Sequence, residues 1–155
     1  LSVKNLNYSN INKLSTKLGK QVPHLKDLLK SSNNKHPLFI EIKPLLSKSL
    51  LKKLIKETSK YTKCVFISFK HENIFQLLSI KKDTKVGLSF CPPTSVKKIV
   101  EKSNDPKINC LILDKSYLRN EKIQKLKIEK YYYTIKTKSE FKKFKKKNNL
   151  IFENL

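Results

Sequence analysis

The sequence predicts an α/β protein in which helices cover a parallel β-sheet. Short, mostly apolar runs typical of buried strands alternate with amphipathic helical segments along 155 residues. The alternation recurs about every 22–26 residues, as expected for strand–helix units. A doubly wound sheet and a (β/α)₈ barrel both fit, but a whole barrel needs eight strands and about 250 residues, and we count six units. No glycine-rich loop follows a strand, which disfavours dinucleotide-binding and P-loop folds.

The first half of the chain predicts one helix followed by two strand–helix units. Residues 22–32 have helical character, and no convincing strand precedes them. The run "LFIEIK" at 38–43 predicts the first strand, and 47–61 then repeats apolar residues at helical spacing. The run "CVFISF" at 64–69 predicts the second strand. Its helix, 71–80, places apolar residues on one face.

The second half of the chain continues the same alternation. Strands are predicted at 85–90 and 109–114, and they are followed by helices at 94–103, with Thr94 as N-cap, and at 120–126. A fifth strand is predicted at 130–136 and a sixth at 150–153. The last helix begins with a Thr-x-x-Glu capping box at Thr137 and Glu140 and is expected to reach about Lys147.

The net charge of +23 is the most unusual feature of the composition. Nucleic-acid readout favours arginine, yet Arg119 is the only arginine and the lysines are spread over the whole chain. We therefore attribute the lysines mainly to a compositional bias typical of AT-rich coding sequence, and we expect no specific nucleic-acid partner. Attraction to anionic substrates or membrane surfaces stays open.

Three further features bear on organisation and compartment. No run approaches the roughly 18–20 apolar residues of a membrane span, and no signal peptide is visible. Cys64 and Cys110 lie in apolar runs and are expected to be buried; with Cys91 they form no CxxC motif, which favours a reducing, cytoplasmic compartment. We expect a single domain over 1–155. A start at Leu1 is compatible with a fragment of a longer protein, with processing or with an unusual start codon.

A charged pair interrupts the first predicted strand. Period-2 geometry places Glu41 and Lys43 on the face shared by Phe39, and Ile40 and Ile42 on the other. Charges on the inward side of a buried strand are costly unless they meet a metal, a phosphate or a counter-charge. The residues alone leave these three options open.

Four segments in register resemble the glycerophosphodiester phosphodiesterase family. "VPHLKDLL" at 22–29 resembles the segment ahead of that family's third barrel strand, and "IEIK" at 40–43 matches the strand's signature. "ISFKHE" at 67–72 and "VGL" at 86–88 resemble the following two strands. The resemblance covers roughly residues 20–153. It implies an incomplete TIM-barrel-like phosphodiesterase fold with about six of eight β/α units.

The resemblance also implies an activity and roles for particular residues. The expected activity is hydrolysis of glycerophosphodiesters to glycerol 3-phosphate and an alcohol, with Ca²⁺ or Mg²⁺ in the complete family fold. Glu41 corresponds to a metal ligand, and Lys43 to a catalytic lysine facing the substrate phosphate. Carboxylate oxygen suits a hard cation, and a lysine can neutralise charge on the phosphate. Tyr133, where the family carries tryptophan, is the expected substrate-binding residue.

Several family motifs have no counterpart in this chain. The family's first two strands carry His-Arg-Gly, Glu-x-Asp and His-Asp motifs, none of which occurs here. No general acid or base is therefore expected within this chain, and little or no activity is expected from it alone. At the fifth predicted strand, Lys136 stands where the family has asparagine.

Each candidate residue also has a structural alternative. Glu41 and Lys43 could form an inward ion pair. His71 is favoured as a helix N-terminal residue over a catalyst, Asp114 as a turn-capping residue, and Tyr133 could simply pack. The alternatives for the whole chain are a degenerate barrel that binds anionic head groups and, less favoured, a lysine-rich nucleic-acid-binding domain. Open edges at the first and last strands would call for a missing N-terminal segment, a partner or a homo-oligomer.

Overall fold

The computed structural model describes residues 7–17, 19, 21–146 and 148–153, and the chain divides into two compact units after His36. The first unit contains helix α1, Tyr8–Lys17, which the sequence did not predict, and helix α2, Leu25–Ser32, within the predicted segment. The Tyr8 hydroxyl donates to the Val22 carbonyl oxygen at 2.9 Å, which ties α1 to the segment before α2. The prediction of a single domain over 1–155 stays a prediction.

The second unit is a half-barrel of six parallel strands, which confirms the predicted incomplete α/β barrel. Strands stand in the sheet in the order in which they occur in the chain, so each pairs with its neighbours in sequence. The elements are, in order, β1 Leu38–Glu41, α3 Lys48–Thr58, β2 Cys64–Ser68, α4 His71–Ile80, β3 Val86–Phe90, α5 Val96–Ser103, β4 Cys110–Asp114, a 3₁₀ helix Lys115–Arg119, α6 Glu121–Gln124, β5 Glu129–Ile135, α7 Lys138–Phe144 and β6 Asn149–Phe152.

The sheet has two different faces because successive strand residues alternate between them. One face packs against the helices and forms the main core, with Leu88, Leu111 and Tyr132 almost wholly buried. We call the other face the strand-only face, because the cluster on it is made of strand residues alone. Its buried members are Ile67, Cys110 and Ile112, and its partly buried members are Phe39, Val65, Tyr131, Tyr133 and Ile151.

Gly87 allows two neighbouring strands to pack tightly at the strand-only face. A Cβ atom at Gly87 would lie 2.6 Å from Cys110 Sγ and 3.2 Å from Ile67 Cγ2. The sulfur of Cys110 therefore occupies the space that a side chain at position 87 would need. Cys64 and Cys110 are both buried, as predicted, whereas Cys91 is exposed.

Several predicted boundaries differ from the observed ones, and two of the differences have identifiable reasons. Strand β1 ends at Glu41 rather than at residue 43, because the Ser68 hydroxyl donates to the Ile42 carbonyl oxygen at 2.6 Å and so replaces the next ladder bond. The N-cap of α5 is Ser95, whose hydroxyl accepts from Lys98 N–H at 3.3 Å, and not Thr94. Thr94 instead closes the preceding turn.

The end of the chain follows its predicted capping box. The Thr137 hydroxyl accepts from Glu140 N–H at 3.2 Å, as the Thr-x-x-Glu pattern predicts. Helix α7 ends at Phe144, where the Asn148 side chain donates to the Phe144 carbonyl oxygen at 3.1 Å. The predicted end at Lys147 lies outside the described residues. Across the described part of the chain, no helix has the length and apolarity to traverse a bilayer.

Candidate functional site

The six parallel strands end at one edge of the sheet, and the predicted site residues gather there. Glu41 is the last residue of β1 and Asp114 the last of β4, while His71 follows β2 after a two-residue loop. Tyr133 lies close to the end of β5, in register with Asp114. The carboxyl ends of parallel strands are where barrel folds build their sites, so this edge is the candidate site, and the roles of these residues stay predictions.

Glu41 and Lys43 are both exposed at this edge. Glu41 shares the strand-only face with Phe39, as period 2 predicts, and Lys43 lies just beyond the strand. Neither side chain forms an ion pair or hydrogen bond with another residue in the described segments. No observed contact therefore supports the alternative that Glu41 and Lys43 pair with each other. Both charged groups are therefore open to a ligand.

A buried amide fixes the loop that carries Lys43. Asn73 of α4 is fully buried, and its Oδ1 accepts from Leu46 N–H at 3.0 Å. Its Nδ2 donates to the Pro44 carbonyl oxygen at 2.8 Å and to the Ser68 hydroxyl at 3.3 Å. Buried polar groups need such partners. The loop after β1 is thus held by a side chain from the next strand–helix unit.

Tyr133 lies at the same edge of the sheet, near the end of β5. Its hydroxyl donates to the Phe90 carbonyl oxygen at 2.9 Å, and its ring meets the ring of Phe69 edge-on at 5.8 Å. Burial raises the pKa of Tyr133 to about 12, and the negative charges of Asp114 and Glu41 add to the shift. Tyr133 therefore stays a neutral phenol whose hydroxyl already has a partner. Its role as a substrate-binding residue stays a prediction.

His71 is the first residue of α4, the position that the sequence favoured. Its Nε2 donates to the Ser89 carbonyl oxygen at 3.0 Å, with Nε2 assigned as the protonated nitrogen because a carbonyl can only accept. Burial lowers the pKa of His71, although the bond to Ser89 partly opposes this shift. The ring is thus neutral near pH 7 and held against Phe90.

Asp114 acts as a capping residue, the favoured alternative. Its Oδ1 accepts from Ser116 N–H at 2.8 Å and so starts the 3₁₀ helix. The sequence predicted no element for the 3₁₀ helix Lys115–Arg119, because five residues are too few to show a helical period. Within it, the Tyr117 hydroxyl lies 2.6 Å from the Thr94 carbonyl oxygen and 2.7 Å from that of Pro92. This tyrosine organises the loop between β3 and α5.

The donor set does not fit a complete site for Ca²⁺ or Mg²⁺. Such cations take about six or more oxygen ligands, several of them carboxylates. Within residues 7–17, 19, 21–146 and 148–153, no three His, Cys, Asp or Glu side chains lie close enough to hold a metal ion. Glu41 offers one carboxylate, and one oxygen of Asp114 is committed to its cap.

Sequence reasoning missed three polar residues near this edge: Ser68, Asn73 and Ser89. Ser68 and Ser89 interrupt the apolar runs of β2 and β3, and Asn73 lies on the helix stripe of Leu77. All three are almost wholly buried. Each of them is a polar residue at a position that the apolar pattern assigns to the core, and this mismatch could have identified them from the sequence.

Comparison with solved structures shows the same fold throughout. A glycerophosphodiester phosphodiesterase from Thermotoga maritima superposes with a TM-score of 0.75 at 16% identity, covering 98% of this chain and 68% of that one. A Galdieria sulphuraria structure provisionally described as such an enzyme gives 0.77 at 18% identity, covering 99% and 68%. The enzyme from Parabacteroides distasonis gives 0.70 at 12% identity, covering 97% and 67%.

Other comparisons found nothing. No model of a known protein family matches the chain, and no curated protein matches it. The structural likeness therefore shows a phosphodiesterase-like fold, and it confirms the resemblance seen in the sequence at the level of the fold. The chain spans about two-thirds of the length of the solved chains.

Proposed function

We propose that this chain forms part of a phosphodiester hydrolase that acts on glycerophosphodiesters. One observation carries the proposal: the chain follows phosphodiesterase folds over nearly its whole length and brings Glu41 and Lys43 to the carboxyl edge of the sheet. Lys43 binds the substrate phosphate, and Glu41 is one oxygen ligand for a divalent cation in a complete barrel. Tyr133 contacts the substrate.

The charges at the edge support binding of a phosphodiester. Lys43 is exposed and has no carboxylate partner among the described residues, so its ammonium group is available to a phosphate oxygen. The buried Asn73 holds the loop behind it, which lowers the entropy lost when Lys43 meets a ligand. In this proposal the chain supplies binding and orientation, and the general acid and base are expected from elsewhere in a complete barrel.

The test compares binding with turnover. Glycerophosphocholine is titrated into the protein while amide resonances are followed by NMR. We expect shifts at Glu41, Lys43 and Tyr133, and a loss of affinity of about fivefold in Lys43→Gln. Lys52→Gln, an exposed lysine on α3, is the matched control and should bind like the parent chain.

Two results would count against the proposal. Equal losses of affinity in Lys43→Gln and Lys52→Gln would mean that the phosphodiester is attracted only by the overall positive charge of the protein. An absence of saturable shifts would mean that this edge has no site. Turnover of glycerophosphocholine by this chain with Ca²⁺ or Mg²⁺, abolished by Glu41→Ala, would overturn the expectation that it has little activity alone.

The second candidate is a non-catalytic barrel that binds anionic head groups. It is favoured by the incomplete donor set around Glu41 in the described residues and by the net charge of +23. It predicts binding of vesicles rich in anionic lipid through Lys43 without turnover in any longer form of the protein. Turnover by a longer form that also contains the family's histidine motifs would exclude it.

A further inference from the structure

Two aromatic rings meet over the strand-only face at the carboxyl edge of the sheet. Phe69 follows β2 and Tyr133 belongs to β5, yet their ring centroids are 5.8 Å apart and their planes are nearly perpendicular, at 89°. The Tyr133 hydroxyl donates to the Phe90 carbonyl oxygen at the end of β3, so its ring reaches across β4. Phe69 is 43% exposed, which leaves one side of the pair open to solvent. We call Phe69 and Tyr133 the aromatic corner, because perpendicular rings can form adjoining walls of one binding site.

The charges that act on the aromatic corner are negative, although the chain carries a net charge of +23. Asp114 of β4 is in register with Tyr133, so the two side chains share one face of the sheet. The charges of Asp114 and Glu41 both raise the pKa of Tyr133, as nearby negative charges do. Lys115, the next residue after Asp114, lies 2.6 Å from Glu140 Oε1 and is paired there instead. The corner therefore favours a cationic ligand group over an anionic one.

A buried hydroxyl without a partner belongs to the same corner. Ser89 of β3 is in register with Ile112, a buried member of the strand-only face, so its side chain is on that face as well. Because β3 stands between β2 and β4, this hydroxyl lies between Phe69 and Asp114. Ser89 is only 2% exposed, and its Oγ has no hydrogen-bond partner among the described residues. A buried hydroxyl usually has a partner, so one without it marks the place of a water or a ligand.

We propose that the aromatic corner, together with Asp114 and Ser89, binds a quaternary ammonium group carried by the alcohol part of the substrate. The face of an aromatic ring attracts an organic cation, and the Asp114 carboxylate supplies the opposite charge. A quaternary ammonium has no N–H group to donate, so it suits walls of ring carbon better than a primary ammonium does. The inference rests on the proposed function, because it names the alcohol of the diester whose phosphate Lys43 binds at the same edge.

The first test uses choline chloride as the probe, at constant ionic strength with sodium chloride as the balancing salt. We expect saturable amide shifts at Phe69, Ser89, Asp114 and Tyr133. Phe69→Leu removes one ring and Asp114→Asn removes the charge, and each should weaken choline binding about fivefold. Asp114→Asn keeps a side-chain oxygen for the bond from Ser116 N–H, so the capped turn is retained.

Each of these variants has a matched control. Phe75→Leu removes a ring that is similarly exposed, at 41%, but lies on helix α4. Asp105→Asn changes a carboxylate that also accepts from the N–H two residues on, that of Lys107 at 2.9 Å, but precedes β4 at the opposite edge of the sheet. Both controls should bind choline like the parent chain. Equal losses in variants and controls, an absence of saturable choline shifts, or tighter binding of ethanolamine than of choline would overturn the proposal.

The second test separates this inference from the proposed function. Glycerophosphoglycerol contains the same phosphodiester without a cation, so Asp114→Asn should weaken binding of glycerophosphocholine but not of glycerophosphoglycerol, whereas Lys43→Gln should weaken both. If Asp114→Asn weakens both diesters equally, the ammonium site is refuted while a phosphodiester site at Lys43 stands. If choline binding depends on Phe69 and Asp114 but glycerophosphoglycerol does not bind, the ammonium site is supported and the phosphodiester proposal is not.

Discussion

Replacing Asn73 with alanine should destabilise the protein by about 3 kcal/mol. The substitution removes the hydrogen bonds to Leu46 N–H, to the Pro44 carbonyl and to the Ser68 hydroxyl. Each such bond contributes roughly 1 kcal/mol net, because water repays part of its loss. Pro44 is exposed, so its carbonyl can be rehydrated, whereas the Leu46 N–H and the space left at Asn73 are less accessible.

Urea unfolding measures the change directly, since a loss of stability lowers the midpoint while the slope m stays constant. Asn104→Ala is the matched control: Asn104 is an exposed residue at the end of α5, and its replacement should change the free energy of unfolding by less than about 0.5 kcal/mol. A loss below about 1 kcal/mol in Asn73→Ala would show that Asn73 does not hold this loop. In the same variant, glycerophosphocholine affinity should fall because Lys43 loses its support.

Two further predictions concern packing and pH. Gly87→Ala should cost about 1–3 kcal/mol, because its Cβ would lie 2.6 Å from Cys110 Sγ, and Cys110→Ala in the same chain should recover much of that loss in urea unfolding; additive losses would contradict the contact. Because the pKa of His71 is lowered in the folded protein, the unfolded chain binds a proton at His71 more readily than the folded chain does. The stability that the neutral His71 ring contributes is therefore fully present above pH 6.5, and it is lost as the pH falls toward the pKa of His71 in the folded protein. His71→Gln should flatten that part of the stability profile, and an unchanged slope would show that His71 is not its source.

The strands and the longer helices could be predicted because burial leaves a direct pattern in the sequence. Helix α4 begins and ends where its apolar stripe predicts, at His71 and Ile80. Helix α1 was missed because its apolar residues are few: only Tyr8, Ile11 and Leu14 stand among polar residues, and none of its residues is buried. The five-residue 3₁₀ helix after Asp114 is too short for a period to emerge.

The candidate site could be predicted only in part. Alternation placed Glu41 on the correct face, and the shared direction of the strands placed it at the correct edge. The clamp by Asn73 and the unpartnered hydroxyl of Ser89 depend on contacts between residues far apart in the chain. No local pattern contains such contacts, so they emerge only from the three-dimensional structure.

The sequential order of the strands has a consequence for synthesis on the ribosome. Every pairing from β1 to β6 joins strands that are adjacent along the chain. Each new unit can therefore dock on the one before it as it emerges, without waiting for a distant partner. Such a sheet can grow by addition at one end, and a pause in translation between units would leave a shorter version of the same layered arrangement.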